Sequence, residues 1–184
     1  MNIQKTLLVV LFSVTVIVLL CSHELKQDFT YKSFERIDFG HGSDINKPSS
    51  ILMYENLEKY SDEYEIPKHI IYNIAFLETR YEGPFDWSYN PARTSPVGAV
   101  GPMQVMPSTA DYVCNKKVSV KKLKTDIRFN IETSVKLLQR LYKKYGDWGI
   151  VCGCYNTGRP MINDYARFCE KNKDYQKNWK YLKY

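Results

Sequence analysis

Ile70, Ile71, Ile74, Ala75, Leu77 and Tyr81 fall on one side of a helix at about 100° per residue, and Glu78 falls among them. Ionising a carboxylate on an apolar stripe costs free energy. Desolvation raises its pKa and keeps a proton available for general-acid work. Periodicity alone suits a rim glutamate with its head in water equally well. Position separates the two readings: Glu78 lies near the end of its helix, directly ahead of a long Gly- and Pro-rich stretch. A general acid needs that combination of rigid mount, low-dielectric wall and adjoining cleft.

The stretch itself reads Ser95-Pro-Val-Gly98-Ala-Val-Gly101-Pro-Met103-Gln104-Val-Met106-Pro107. Gly98 and Gly101 permit tight turns and close backbone approach to a ligand. The Gly-Lys-Ser/Thr ending of a phosphate loop is missing. Gln104 can donate and accept, which suits sugar hydroxyls and acetamido groups. Met103 and Met106 are equally suited to core packing.

The elements that must position these residues are mostly helical. Leu52, Tyr54, Leu57 and Tyr60 predict a helix from Ile51 to near Glu65; Pro67 opens a second that runs to about Tyr81. Residues 82–106 form a long irregular segment, of a length that is functional or disordered in compact domains; its aromatic content favours order. Pro107 opens a short helix to Cys114. Asp126 caps a longer one with a stripe of Ile127, Ile131, Val135, Leu138, Leu141/Tyr142 and Tyr145, closed by Gly146. Asp147 caps a helix from Trp148 to about Asn156. Asn156 to Pro160 breaks the chain before a last helix ending near Lys171. The fold class is mostly α, with one long loop.

Four segments are expected: residues 1–22, a polar linker over 23–50, a catalytic domain over 51–172 and a basic C-terminal tail over 173–184. In the first, Lys5 is the only charge, and residues 7–20 hold no charge, Gly or Pro. That run lies between the about 7–15 residues of a secretory signal and the about 20 of a spanning helix. It is either a signal peptide or a membrane anchor, and both export the rest. The expected location is the periplasm or cell envelope, with inner-membrane anchoring if the segment stays uncleaved. Cys21 stands where a lipoprotein would carry its lipid, but Leu20 before it is not the small residue that signal wants.

At 184 residues the chain is too short for a large multi-domain enzyme, and no motif repeats at a fixed period. The net charge of +6 suits an anionic polymer. Its lysines are spread as on solvated helix faces, and export argues against nucleic acid. His23, His41 and His69 are scattered, and Cys152-x-Cys154 lacks zinc-ligand spacing, so no metal site or cofactor is expected. Cys152 and Cys154 should point apart on a helix.

Three motifs together carry a resemblance. Glu78-Thr79-Arg80-Tyr81 resembles the Glu-Ser-x-Phe motif of lytic transglycosylases with a soluble, goose-lysozyme-like catalytic domain. Asn90-Pro91 followed by the Ser95 to Ala110 segment is similar to that family's second motif. Tyr155-Asn156-Thr157-Gly158 is similar to its Tyr-Asn-Ala-Gly, and Asp126 to Gly146, with Asn130-Ile131, matches the helix between.

The resemblance implies a lysozyme-like α fold and cleavage of the β-1,4 bond between N-acetylmuramic acid and N-acetylglucosamine in peptidoglycan. It implies Glu78 as sole acid/base, with 1,6-anhydromuramic ends as product. Ser95, Met103, Gln104 and Tyr155 match cleft positions, with Asn156 beside Tyr155. Thr79, Tyr81, Pro102 and Thr157 depart from the pattern, and an insertion around Gly83 to Tyr89 separates Glu78 from Asn90. The partners implied are peptidoglycan glycan strands and, by analogy, an envelope-spanning secretion or conjugation machinery. A muramidase using Glu82 or Asp86 to hold a water, and a non-catalytic peptidoglycan-binding protein, are the rival readings. The segments carrying Cys114 and Cys152/Cys154 should flank the cleft, so a bridge from Cys114 to either is one expectation; free buried thiols are the other.

Overall fold

The structure is a computed structural model describing residues 47–180. In it the chain forms α1 (Ser49–Glu63), α2 (Lys68–Thr79), α3 (Pro107–Cys114), α4 (Val120–Thr125), α5 (Ile127–Tyr145), α6 (Trp148–Thr157) and α7 (Asp164–Lys171). A 3-10 turn follows at Tyr175–Asn178. The mostly α expectation holds, and no strand forms among the described residues; Thr94 with Val100 and Val100 with Val105 make isolated antiparallel bridges. The expected signal or anchor, Cys21, and the linker up to residue 46 lie outside the described residues. No helix among the described residues is long and apolar enough to cross a membrane.

Side-chain caps set several helix starts. Asp126 Oδ1 accepts from the Phe129 N–H at 2.9 Å, Asp147 Oδ1 from Ile150 at 2.7 Å, and Asn163 Oδ1 from Ala166 at 2.9 Å. On α5 the predicted stripe is buried through Ile127, Ile131, Val135 and Leu138, then surfaces at Tyr142. The short α4 was not expected. Its lysine-rich sequence buries only Leu123 and carries little periodicity.

The helix bearing Glu78 sits at the centre. Ile70, Ile71, Ile74 and Ala75 are fully buried, and α2 packs on α1, α6, α7 and the 3-10 turn. It ends at Thr79 rather than Tyr81, because Arg80 adopts the left-handed conformation at φ 58°. That reversal turns Tyr81 back into the core, where its hydroxyl donates to Ser50 O at 2.8 Å.

The described part of the basic tail packs against the helices. Trp179 is buried beside Tyr54, Tyr72 and Tyr175, and the Lys180 N–H donates to Glu82 O at 2.7 Å. The interleaved rings, Tyr175 and Trp179, anchor it.

Candidate active site

Glu78 stands one residue before the end of α2, half-buried. Its Oε1 accepts a hydrogen bond from the Tyr165 hydroxyl of α7 at 2.7 Å. Burial raises its pKa above the ordinary carboxylate value, and the Tyr165 bond, which favours the ionised form, pulls the other way. The opposed influences suit a group that gives a proton and takes it back.

Thr79, beside it, is fully buried. Its hydroxyl lies 2.8 Å from Pro102 O and 2.8 Å from the Tyr89 hydroxyl. One consistent assignment has Thr79 donating to Pro102 and accepting from Tyr89. The Thr79 and Pro102 departures noted in the sequence thus meet: the Thr79 hydroxyl donates to the carbonyl of Pro102.

The loop over 94–106 is held from within by Asn130 of α5, which is fully buried. Asn130 Oδ1 accepts from the Met103 N–H at 3.0 Å, and its amide donates to Val100 O at 3.0 Å and Leu123 O at 2.9 Å. Gly101 approaches so closely, at φ +80°, that a Cβ there would collide with the Asn130 amide and the Leu123 carbonyl. Tyr155 adds a second tether. Its hydroxyl donates to Met103 O at 2.6 Å and lies 3.0 Å from Ser134 Oγ. Burial, then the nearby Glu78 charge, pushes the Tyr155 pKa up, so it remains a neutral donor.

The expected site residues separate into groups. Met103 is fully buried, so its side chain packs in the core rather than lining a cleft. Ser95 Oγ accepts from the Ala99 N–H at 3.0 Å and shapes the turn. Gln104, at φ 48°, donates to Gly101 O at 2.8 Å and is partly exposed. Exposed Asn156 accepts from Asn163 Nδ2 at 2.9 Å. Tyr155 and Asn156 also line a groove of about 590 Å³ between α3, α5 and α6, with Met106, Tyr112, Lys144 and Tyr145.

Glu82 and Asp86 are engaged by Lys180. Lys180 Nζ lies 2.9 Å from Asp86 Oδ1 and 3.4 Å from Glu82 Oε2. Ser88 Oγ donates to Asp86 at 2.6 Å. Burial raises the Asp86 pKa, but Ser88 and Lys180 outweigh it and the net shift is downward. Cys114, Cys152, Cys154 and Cys169 are free thiols. The expected bridge from Cys114 is not made. No His, Cys, Asp and Glu cluster suited to a metal occurs among the described residues.

Sequence reasoning missed Tyr165, Ser134 and the role of Asn130. Asn130 carried a signal, an amide on an otherwise apolar helix face. Tyr165 carried none, because its partner lies 87 residues away.

Comparison with known proteins follows the same lines. The model of the family described as transglycosylase SLT domain matches residues 55–178. Among solved structures, the complex of the 70-kDa soluble lytic transglycosylase with bulgecin A is similar at 27% identity and TM-score 0.49, covering 63% of this chain. The chain spans 18% of the length of that relative. None of the curated proteins compared matches the chain.

Proposed function

Because the chain belongs to the transglycosylase SLT domain family, we propose that it is a peptidoglycan lytic transglycosylase with Glu78 as its single acid/base. The observation carrying this reading is the environment of Glu78: desolvated on a rigid helix end and hydrogen-bonded by Tyr165. Protonated Glu78 gives its proton to the glycosidic oxygen between N-acetylmuramic acid and N-acetylglucosamine as the C1–O bond breaks. The 2-acetamido group of the muramic residue stabilises the cationic C1. The Glu78 carboxylate, steadied by the Tyr165 hydroxyl, then takes the proton of the same sugar's C6 hydroxyl, whose oxygen closes on C1. The product is a 1,6-anhydromuramic end; no water is consumed, and Glu78 regains its proton.

A hydrolase of the ordinary kind uses two carboxylates across the bond. Glu82 and Asp86, the nearest in sequence, are bound to Lys180 and Ser88, which supports the single-carboxylate reading over a muramidase. The substrate lies outside the cytoplasm, so the reading includes export through the N-terminal segment, whose charge-free run over residues 7–20 supports it. Action in the periplasm or cell envelope, beside a secretion or conjugation machinery, belongs to the same proposal.

Glu78→Gln preserves shape but cannot move a proton. It should lower turnover of purified sacculi by at least about 10²–10⁴-fold, with saccharide binding and folding retained. Full activity in this variant would remove Glu78 from the mechanism.

A further inference from the structure

Asn73 of α2 is fully buried, five residues before Glu78. Its Nδ2 donates to Cys169 O at 3.0 Å and to Asn172 O at 2.8 Å, and its Oδ1 accepts from Asn172 Nδ2 at 2.7 Å. The last carbonyls of a helix lack partners within it, and at this end of α7 a side chain of another helix supplies one. Both amide hydrogens face carbonyls and the oxygen faces a donor, so one orientation alone satisfies the group. Phe76 stacks on Phe168 at 5.9 Å between ring centroids, and the Tyr165 hydroxyl meets Glu78 at 2.7 Å. The pairs 73–169, 76–168 and 78–165 thus follow in antiparallel order along the two helices. From Asn73 to Glu78 is about 7.5 Å of rise, and from Cys169 back to Tyr165 about 6 Å, so the two hydrogen-bonded pairs fit one register. The other end of α7 is tied to α6 by Asn163 Nδ2 on Asn156 Oδ1, an exposed bond that water can replace. The buried amide has no such substitute.

We propose that the Asn73–Asn172 clamp sets the register of α7 on α2, which makes Asn73 a positioning residue that holds the Tyr165 hydroxyl on the Glu78 carboxyl. The inference rests on the reading of Glu78 as the acid/base. A slip of α7 by one residue is about 1.5 Å, enough to take a bond of 2.7 Å out of range. Tyr165 lies in the first turn of α7 and the clamp at its last, so Asn73 acts through the helix and touches no reacting atom. The titratable groups whose charge would be felt at Glu78 are Tyr165 and Cys169 of α7 and Tyr155 of α6. Burial keeps both tyrosines neutral, and the Cys169 thiol is held above its ordinary value as well. Arg80, beside Glu78 in sequence, lies over the Phe76 ring. The Tyr165 bond is therefore the influence on the Glu78 proton that a moved α7 would change.

The test titrates the Glu78 carboxyl of the full chain by carbon NMR and sets it beside the pH profile of kcat/KM on purified sacculi. Asn73→Ala removes the whole clamp, and Asn172→Ala only the bond from its own side chain. The Tyr165 bond favours the ionised carboxylate, so both variants should raise the Glu78 pKa, as Tyr165→Phe does, and carry the alkaline limb upward with it. In each, kcat should fall by up to about tenfold. In the Tyr165→Phe background neither substitution should move the pKa further, because the bond it acts through is already gone. A folded Asn73→Ala chain with the wild-type Glu78 pKa would overturn the proposal, and so would a shift of equal size in the Tyr165→Phe background. Should Asn73→Ala not fold, Asn172→Ala decides by the same two readings. The titration needs no turnover, so a failure of the clamp is distinct from a failure of the acid/base assignment, which Glu78→Gln tests.

Discussion

Residues 94–106 and residues 82–89 both border the helix end that carries Glu78, yet they are held in different ways. The first segment is held from inside. Asn130 satisfies Met103, Val100 and Leu123 through one fully buried side chain, and Tyr155 takes the Met103 carbonyl. The second adds an outer clasp to two buried ties, the Tyr89 hydroxyl on Thr79 and the Ser50 hydroxyl on Pro84 O. Trp179 packs on Gly83, and the Lys180 side chain, 51% exposed, reaches Asp86 and Glu82. A buried amide with three partners is directional and costly to disturb; a half-exposed ion pair is screened and adjustable. The loop bearing the family motif therefore depends on one buried amide, and the outer edge of the insertion on an ion pair.

Asn130→Ala should break that contrast most severely. It leaves a buried N–H and two buried carbonyls without their partner and should cost about 3 kcal/mol or more, read by denaturant unfolding. A loss near that expected for a surface site would mean that the loop is held by something else.

Tyr165→Phe is expected to act next most strongly, on chemistry rather than stability. Folding raises the Glu78 pKa, so the native state holds that proton more tightly than the unfolded chain. The associated stability is present in acid and is lost as pH rises through the native pKa. The Tyr165 bond opposes this rise, so its removal should move the pKa further up. The alkaline limb of kcat/KM should shift to higher pH, and kcat should fall about tenfold. An unmoved limb would reduce Tyr165 to packing.

Lys180→Ala should have the smallest effect. The lysine is half-exposed, and buried Asp86 keeps its two bonds from Ser88, so the loss should stay at about 1 kcal/mol in thermal unfolding. A larger loss would make the insertion as rigid as the motif loop.

Helix ends with a chemical mark were legible in the sequence: Asp126, Gly146 and Asp147 set α5 and the start of α6 where their capping chemistry predicts. Elements stabilised by distant partners were not. Three lysines around a single buried Leu123 conceal α4. Arg80 gives no warning that it will turn left-handed and end α2 two residues early. The candidate acid was readable because it interrupts an apolar face, and Tyr165 was not, because a tyrosine on a short polar helix is ordinary until the fold brings it to Glu78. Met103 read as a cleft residue by motif and is fully buried; a motif preserves a backbone path as readily as a ligand contact.

The central claim is that one carboxylate, with the sugar's own C6 hydroxyl in place of water, performs both proton transfers. Mass spectrometry of the products released from purified sacculi tests it most directly. The account predicts muropeptides with non-reducing-agent-sensitive anhydro ends, each lighter by one water than the corresponding lysozyme product. Hydrated, reducing muramic ends as the main product would contradict it and require a second group to deliver water to C1.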